Sequence, residues 1–396
     1  QRQMCIRDRH DEECPHMEVY ADYAATTPVK TEVVDAMMEI YKEHYGNPSS
    51  IHSIGRDARK YLDQSRRKVA QLLGAKPHEV IFTSGATESN NTAIKGLVKA
   101  NEQLGNHIIT SKIEHHSVLH VFEQLEREGY DVTYLDVDDT GAVDLDQLRE
   151  TITDKTILVS IMFVNNEVGT VQNMYDIEDI IAETNALFHV DAVQAIGHLE
   201  IDFHDFKIDT MSVTGHKFGG PKGAGILLVK DHTPLEFNQL GGEQETKRRA
   251  GTENVPQIVG LTKALELAVQ HRDANNVHLM NLKELFLVSL QERVIPFELN
   301  GSMTDSTGHI LNLYFPFIDV ETMLTLLDLS NVYVSSGSAC TAGSTTPSHV
   351  LAAMFEDEER AKHSVRFSFN EQMNEQQIKY IVAEIHKIYH KFKEES

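Results

Sequence analysis

The sequence predicts an α/β fold, with a large domain on a mostly parallel seven-stranded sheet and a smaller α+β domain after it. Three observations carry that expectation. Seven short apolar runs lie between Glu79 and Val229, most of them separated by stretches of helical periodicity, which is the pattern of parallel strands buried on both faces. After Val255-Pro256 this alternation stops and a long helical stretch takes over. At 396 residues the chain also exceeds what one hydrophobic core usually accommodates.

In chain order, residues 1–16 are polar and charged without a period, and read as a disordered leader or as a tag or read-through artefact. Glu18 to Asp22 is a short strand. Thr31 to about Tyr45 is a helix broken at Gly46-Asn47-Pro48, and Ile54 to Leu73 a second helix stopped by Gly74. The expected strands are Glu79 to Thr83, His107 to Ser111, Val132 to Asp136, Thr156 to Val164, Leu187 to Asp191, Thr210 to Val213 and Gly225 to Val229. Helices are expected over Ala86 to Asn101, His116 to Glu128, Leu145 to Thr151 and Ile177 to Asn185. A long helix, interrupted or bent, covers 257–292, and a closing helix runs from Glu371 to about Phe392. The expected division is an N-terminal segment (17–30) packing with the small domain, a large domain (31–256), and a connecting helix with the small domain (257–396).

Composition narrows the function classes. A formal charge of −24 argues against a nucleic-acid surface, which needs a basic stripe. No apolar run approaches the roughly 20 residues of a membrane span, and no secretory h-region opens the chain. Three cysteines, Cys5, Cys14 and Cys340, cannot build a disulfide framework, so a reducing, cytoplasmic setting is expected. Cys340 is the single thiol of the globular part.

In an open α/β sheet, ligands bind beyond the carboxyl ends of the strands, and sorting polar residues by that rule gives one cluster. Ser84-Gly85-Ala86-Thr87-Glu88-Ser89 links a strand to a helix; small residues there expose N–H groups to an anion and the Thr87 hydroxyl adds a donor, although the pattern also satisfies a capping box. Glu114-His115-His116 follows the next strand, and a histidine in that place can stack on a planar ring or shuttle protons. Asp191 ends an apolar strand with Gln194 three residues on, and such an aspartate needs a cationic partner or several donors. Asn165-Asn166-Glu167 lies at the same mouth. Lys217, in Gly215-His216-Lys217-Phe218-Gly219-Gly220, is pinned between two interior strands; a desolvated lysine deprotonates readily and can attack an aldehyde. Pyridoxal phosphate accounts for all of these together: phosphate on the helix N-terminus, Asp191 on the ring nitrogen, an imine on Lys217. The rival is a metal site at His116 and His120, for which no acidic third ligand follows in a recognisable pattern; no metal is expected. Val334 to Ser344, which carries Cys340, is too small and polar to pack a core and reads as a mobile loop bearing a nucleophile. Forming its thiolate at pH 7 costs roughly 2 kcal/mol.

These residues resemble the cysteine desulfurases of the fold-type I pyridoxal phosphate enzymes over essentially all of the chain from Met17. The resemblance rests on Tyr20 to Pro28, Gly46-Asn47-Pro48-Ser49-Ser50, Phe82 to Glu88, Val164-Asn165-Asn166-Glu167-Val168-Gly169, His189-Val190-Asp191-Ala192 with Gln194, Gly215-His216-Lys217, Arg249-Ala250-Gly251-Thr252 and Ser335-Ser336-Gly337-Ser338-Ala339-Cys340. It implies an imine at Lys217, stacking and proton transfer by His115, Asp191 at the ring nitrogen and Gln194 at the ring hydroxyl. It further implies phosphate contacts from Ala86, Thr87, Thr214, His216 and, across a homodimer interface, Thr252, with Asn166 and Arg366 on the substrate carboxylate. The implied reaction takes L-cysteine to L-alanine and leaves a persulfide on Cys340 for an acceptor protein, an iron–sulfur scaffold or a tRNA-thiolation enzyme. Selenocysteine lyase, or another lyase of small amino acids, is the rival activity. Two places depart from the family's usual pattern: Glu243 to Lys247, where Gly-Gln/His-Glu-Arg-Gly is common, and Glu371, where an arginine is common.

Overall fold

The alternation of apolar runs and helices folds into a central sheet whose strand ends converge on one cavity. In the computed structural model, which describes residues 17–337 and 347–395, the strands are β1 (Val19–Tyr20), β2 (Val80–Thr83), β3 (His107–Ser111), β4 (Asp131–Leu135), β5 (Thr156–Ser160), β6 (Leu187–Asp191), β7 (Thr210–Thr214), β8 (Gly225–Val229), β9 (Glu298–Asn300), β10 (Ile310–Tyr314), β11 (Val332–Tyr333) and β12 (Ser364–Ser368). The leader expected over 1–16 and Cys340 both lie outside the described residues. Seven strands form the large sheet in the order β2-β8-β7-β6-β5-β3-β4. Only β8 runs against its neighbours, pairing antiparallel with β2 and β7, so the expected mostly parallel sheet is what forms. Its strands are buried along nearly their whole length except β4, at one edge, which is why they read as continuous apolar runs rather than alternating ones.

A second core surrounds the antiparallel sheet β12-β10-β9, with Leu311, Phe286, Phe367 and Ile381 at its centre. Val19 and Ala21 belong to this core. β1 pairs parallel with β11 and Asp22 bridges to Ser368, so the chain begins on the second core before building the first.

The long helix differs from expectation. Val255–Glu292 is one continuous 38-residue helix, not an interrupted one. Its first half sends Ile258, Leu261, Ala264, Leu265 and Ala268 into the large core, and its second half sends Leu279, Leu282, Phe286 and Leu290 into the other. Each half has an apolar face, but the two faces meet different cores, so no single stripe runs the full length and the periodicity looks broken. β5 is shorter than the apolar run suggests, ending at Ser160 instead of Val164. Residues 161–164 stay buried and still hydrogen-bond to β6, with Ile161 and Phe163 donating to the carbonyls of His189 and Asp191, while Val164 bridges Val171; it is the pairing with β3 that stops at Ser160. The helix expected over 177–185 forms at Met174–Ala182, because the Asn173 side chain caps it. The last helix starts at Glu375, four residues later than expected, since Glu371 turns aside to pair with Lys30 at 2.5 Å.

The altered 243–247 segment forms a tight turn with three successive non-glycine residues at positive φ: Glu245 (48°), Thr246 (58°) and Lys247 (66°). Glu245 holds it in place. Its carboxylate takes both terminal nitrogens of Arg66, at 2.8 and 2.6 Å, and the Phe82 N–H on the free edge of β2. Lys247 has no such excuse; its exposed pair with Glu243 contributes little. A left-handed L-residue costs roughly 1–2 kcal/mol, more than the roughly 0.5–1 kcal/mol of extra entropy a glycine loses. Lys247→Gly is therefore expected to raise stability by roughly 0.5–1 kcal/mol in a urea unfolding curve, and a loss of stability would place the energetic importance in the Lys247 side chain.

Candidate active site

At the carboxyl ends of β2, β3, β6 and β7 lies a cavity of about 450 Å³. Ten of the residues singled out from the sequence line it: Ala86, Thr87, His115, Asn166, Asp191, Gln194, Thr214, His216, Lys217 and Arg366. They arrive on several separate elements. Ala86 and Thr87 open the helix Ala86–Asn101 directly after β2, and its N-cap, Gly85, has no side chain with which to close the first turn. The capping box allowed by the sequence is not formed; Glu88 takes the N–H of Ser84 instead, at 2.7 Å. Gly85 adopts φ 152°, ψ 179°, a conformation essentially restricted to glycine, and a Cβ on Gly225 would lie 2.6 Å from the Gly85 Cα. Two bare glycines thus bring β8 against the helix start and leave its N–H groups facing the cavity, a setting suited to an anion.

His115 follows β3 and caps the helix His116–Arg127, its Nδ1 accepting from Ser117 N at 3.1 Å. Burial holds its ring below the ordinary histidine range, against the opposing pull of Asp191. Asp191 ends β6 and accepts from Asn90 Nδ2 at 2.8 Å and Val193 N at 3.0 Å. Gln194 donates to the Ala24 carbonyl at 3.0 Å and receives His309 Nε2 at 3.1 Å. Thr214, His216 and Lys217 form the exit of β7, where the chain makes a single 3₁₀ turn. Lys217 Nζ donates to the carbonyls of Ala24 and Ala25 at 2.6 and 2.9 Å. Burial, with Lys217 and Lys222 adding repulsion, pushes His216 down to about 4. Arg366, from β12, is 1% exposed; it donates to the Asn166 carbonyl and to Asp22, both at 2.8 Å.

Two predicted residues stand apart. Thr252 is exposed and lines a neighbouring pocket of about 260 Å³ with Ser84, Glu245 and Arg249, not the cavity of its own chain. Cys340 lies outside the described residues, but the chain on either side of it is fixed near the cavity. Ser335 and Arg366 exchange backbone hydrogen bonds at 3.3 and 2.7 Å, and Ser348 Oγ donates to Glu167 Oε2 at 2.5 Å. A Cβ on Gly337 would meet that same oxygen at 2.5 Å, so glycine is needed for the chain to pass there. The His116 and His120 rings stack loosely, 5.0 Å apart, with His349 4.7 Å from His116. Sequence reasoning gave no role to Lys222 and overlooked Asn90. Asn90 lies four residues after Ala86, one turn along the same helix face, and that spacing was the available signal.

Residues 19–381 match the family model of class-V aminotransferases. The chain belongs to that family. Among class-V aminotransferases it is similar to a Bacillus subtilis (strain 168) protein named IscS 1, 50% identical over 362 residues, covering 91% of this chain and 96% of that one. It is similar to a protein of Methanosarcina thermophila named cysteine desulfurase IscS, 45% identical over 375 residues and covering 95% and 93%. A solved NifS-like protein superposes with a TM-score of 0.89 at 37% identity, covering 94% of this chain and 99% of that one. The family is pyridoxal phosphate-dependent, and the cavity fits the group. Uncapped helix N–H groups with Thr87, Thr214 and Lys222 suit a phosphate, the buried Asp191 carboxylate suits a pyridinium nitrogen, and Lys217 faces the space between.

Beneath the cavity, Glu114 is fully buried. Its Oε1 accepts from Ser111 and Met162 N, while no partner for Oε2 exists among the described residues. Burial, with the Asp191 charge adding, pushes this carboxyl from 4.5 up to about 8. The folded chain then holds a proton that the unfolded chain releases, so stability is present below about pH 4.5 and falls as pH rises toward 8. Glu114→Gln is expected to flatten that decline in unfolding curves collected across this range, and an unchanged slope would show that Glu114 is ionised in the folded chain.

Proposed function

We propose that this class-V aminotransferase is a cysteine desulfurase, converting L-cysteine to L-alanine and holding the sulfur as a persulfide on Cys340. The observation that carries the reading is the shared residue Arg366. It lines the cavity with Lys217, and its backbone pairs with Ser335, five residues before Cys340. A substrate held at the cavity is thereby close in the chain's connectivity to the thiol.

The uncapped turn at Ala86 and Thr87, with Thr214, His216 and Thr252 of the partner subunit, would hold the phosphate. Asp191 would meet the ring nitrogen and Gln194 the ring hydroxyl, His115 would lie against the ring, and Lys217 would supply the amine for the aldehyde. When bound, pyridoxal phosphate supplies the electron sink for bond making and breaking at the substrate carbons. Arg366 and Asn166 orient the substrate carboxylate, and His115 and Lys217 carry protons to and from the reacting atoms. The Cys340 thiolate attacks the substrate sulfur: an S–S bond forms, the C–S bond breaks, and the carbon keeps its electrons and gains a proton. L-cysteine and a thiol become L-alanine and a persulfide, with atoms and electrons in balance. The sulfur then passes to a thiol of an acceptor protein, an iron–sulfur scaffold or a tRNA-thiolation enzyme. We read the chain as a cytoplasmic homodimer, with a large domain over 31–256 and a small domain over 257–396 that carries Cys340 and takes up residues 17–30. No helix among the described residues is long and apolar enough to cross a membrane.

The decisive assay combines a spectrum with product analysis. Wild type is expected to show a visible band near ~400 nm and to release alanine from L-cysteine. Cys340→Ala should keep the band and lose alanine release, and Lys217→Ala should lose the band. A protein that stays colourless with added pyridoxal phosphate would sink the cofactor reading; turnover of cysteine by Cys340→Ala would move the activity to another lyase, such as selenocysteine lyase.

Arg366→Lys tests the carboxylate assignment separately. A lysine cannot offer the planar pair of donors, so KM for L-cysteine should rise about ten- to a hundredfold while kcat changes less. An unchanged KM would remove Arg366 from the substrate site.

A further inference from the structure

Behind the cavity wall runs a set of hydrogen bonds in which each hydrogen has one possible place. Asn90 is fully buried. Its Nδ2 lies 2.8 Å from Asp191 Oδ2 and 2.9 Å from Ser117 Oγ, and its Oδ1 lies 3.0 Å from His189 Nε2. His189 Nδ1 is 2.8 Å from Thr210 Oγ1 across the β6–β7 pair. His115 Nδ1 is 2.8 Å from Ser117 Oγ and 3.1 Å from Ser117 N.

The hydrogens follow from chemistry. A carboxylate only accepts, so Asn90 turns its NH₂ group toward Asp191. Its carbonyl then faces His189, whose Nε2 must carry a hydrogen. His189 is completely buried and burial pushes it down to about 3, so the ring is neutral and Nδ1 accepts from the Thr210 hydroxyl. On the other side, Ser117 Oγ receives the second Asn90 N–H and gives its own hydrogen to His115 Nδ1. The Ser117 N–H points at the same nitrogen. His115 Nδ1 is therefore an acceptor, and the neutral ring carries its hydrogen on Nε2.

We propose that Asn90, oriented by His189, is a positioning residue whose two N–H groups hold the Asp191 carboxylate and the Ser117 hydroxyl beside His115 in place together. The proposal rests on the reading of this cavity as the pyridoxal phosphate site. A buried asparagine needs partners in any fold. Here the groups it serves lie on two elements, Asp191 at the end of β6 and Ser117 in the first turn of the helix after β3, whose cap is His115. With His189 replaced by an apolar residue, the Asn90 carbonyl loses its donor, and the amide can turn over and set an oxygen against the Asp191 carboxylate.

The test uses the full chain and reads affinity for pyridoxal phosphate, titrated into cofactor-stripped protein, with rescue by a conservative variant separating positioning from packing. Asn90→Leu and His189→Leu should weaken cofactor affinity about ten- to a hundredfold, the range a lost hydrogen bond to a charged group produces. His189→Gln keeps a donor toward Asn90 and should restore affinity to within about threefold of wild type. Asn101→Leu, which removes a buried amide bonded to the Leu97 carbonyl at the far end of the same helix, controls for loss of packing and should leave cofactor affinity unchanged. Wild-type affinity in Asn90→Leu would overturn the proposal, as would equal losses in Asn101→Leu. If Asn90→Leu does not fold, the two His189 variants decide alone. A wild-type chain that fails to bind pyridoxal phosphate would overturn the cofactor reading itself, and with it the proposal that rests on it.

Discussion

Lys217 Nζ donates to the carbonyls of Ala24 and Ala25, and much of the architecture is arranged around that contact. An ammonium at the end of a buried strand must find acceptors, and these acceptors belong to a segment whose start is packed in the other core. The same segment holds Asp22, which pairs with Arg366 and bridges to β12. Lysine, N-terminal segment, arginine and small sheet therefore form one continuous set of polar contacts across the cavity. Neither core alone contains the site.

Much of this was legible in the chain, and for a physical reason. Strands covered on both faces leave long apolar runs, and a polar residue that ends such a run has nowhere to point but the cavity. Asp191, His115, Asn166 and Lys217 could be found that way. Asn90 could not, because a polar residue in a helix ordinarily marks the solvent side, and only its spacing from Ala86 hints that this face turns inward. Thr252 is exposed in its own chain, so nothing within one subunit reveals a role; the expectation came wholly from the resemblance. β5 was read too long because burial and hydrogen bonds to β6 continue past Ser160, where regular strand pairing ends.

The two departures from the family's usual pattern have different physical consequences. At Lys247 the backbone keeps a left-handed conformation without the residue that adopts it most easily, and Glu245 holds the turn through Arg66 and the edge of β2. At Glu371 a charge is reversed and answered: Lys30 pairs with it, and that hydrogen bond holds the carboxyl below its ordinary value despite the opposing effect of burial. The Lys30 stem also fills the space beside Gly219, in the turn that follows Lys217. A substitution far along the chain is thus absorbed next to the site without altering any residue that lines the main cavity.

Charge supplies the last constraint. The chain carries a net −24, yet its cavity presents Lys217, Lys222 and Arg366 against Asp191 and Glu88. A long-range field of that sign repels anions, and over the roughly 8 Å Debye length of physiological salt it fades before reaching the interior. Anion binding must therefore come from short-range donors: the open helix turn, the hydroxyls of Thr87 and Thr214, and the arginine fork. Such donors act only on a group already inside, where water is scarce and hydrogen-bond geometry decides. That is why the glycine pair at Gly85 and Gly225 matters as much as the charges, since it opens the helix N-terminus to the one place where the field of the whole molecule no longer counts.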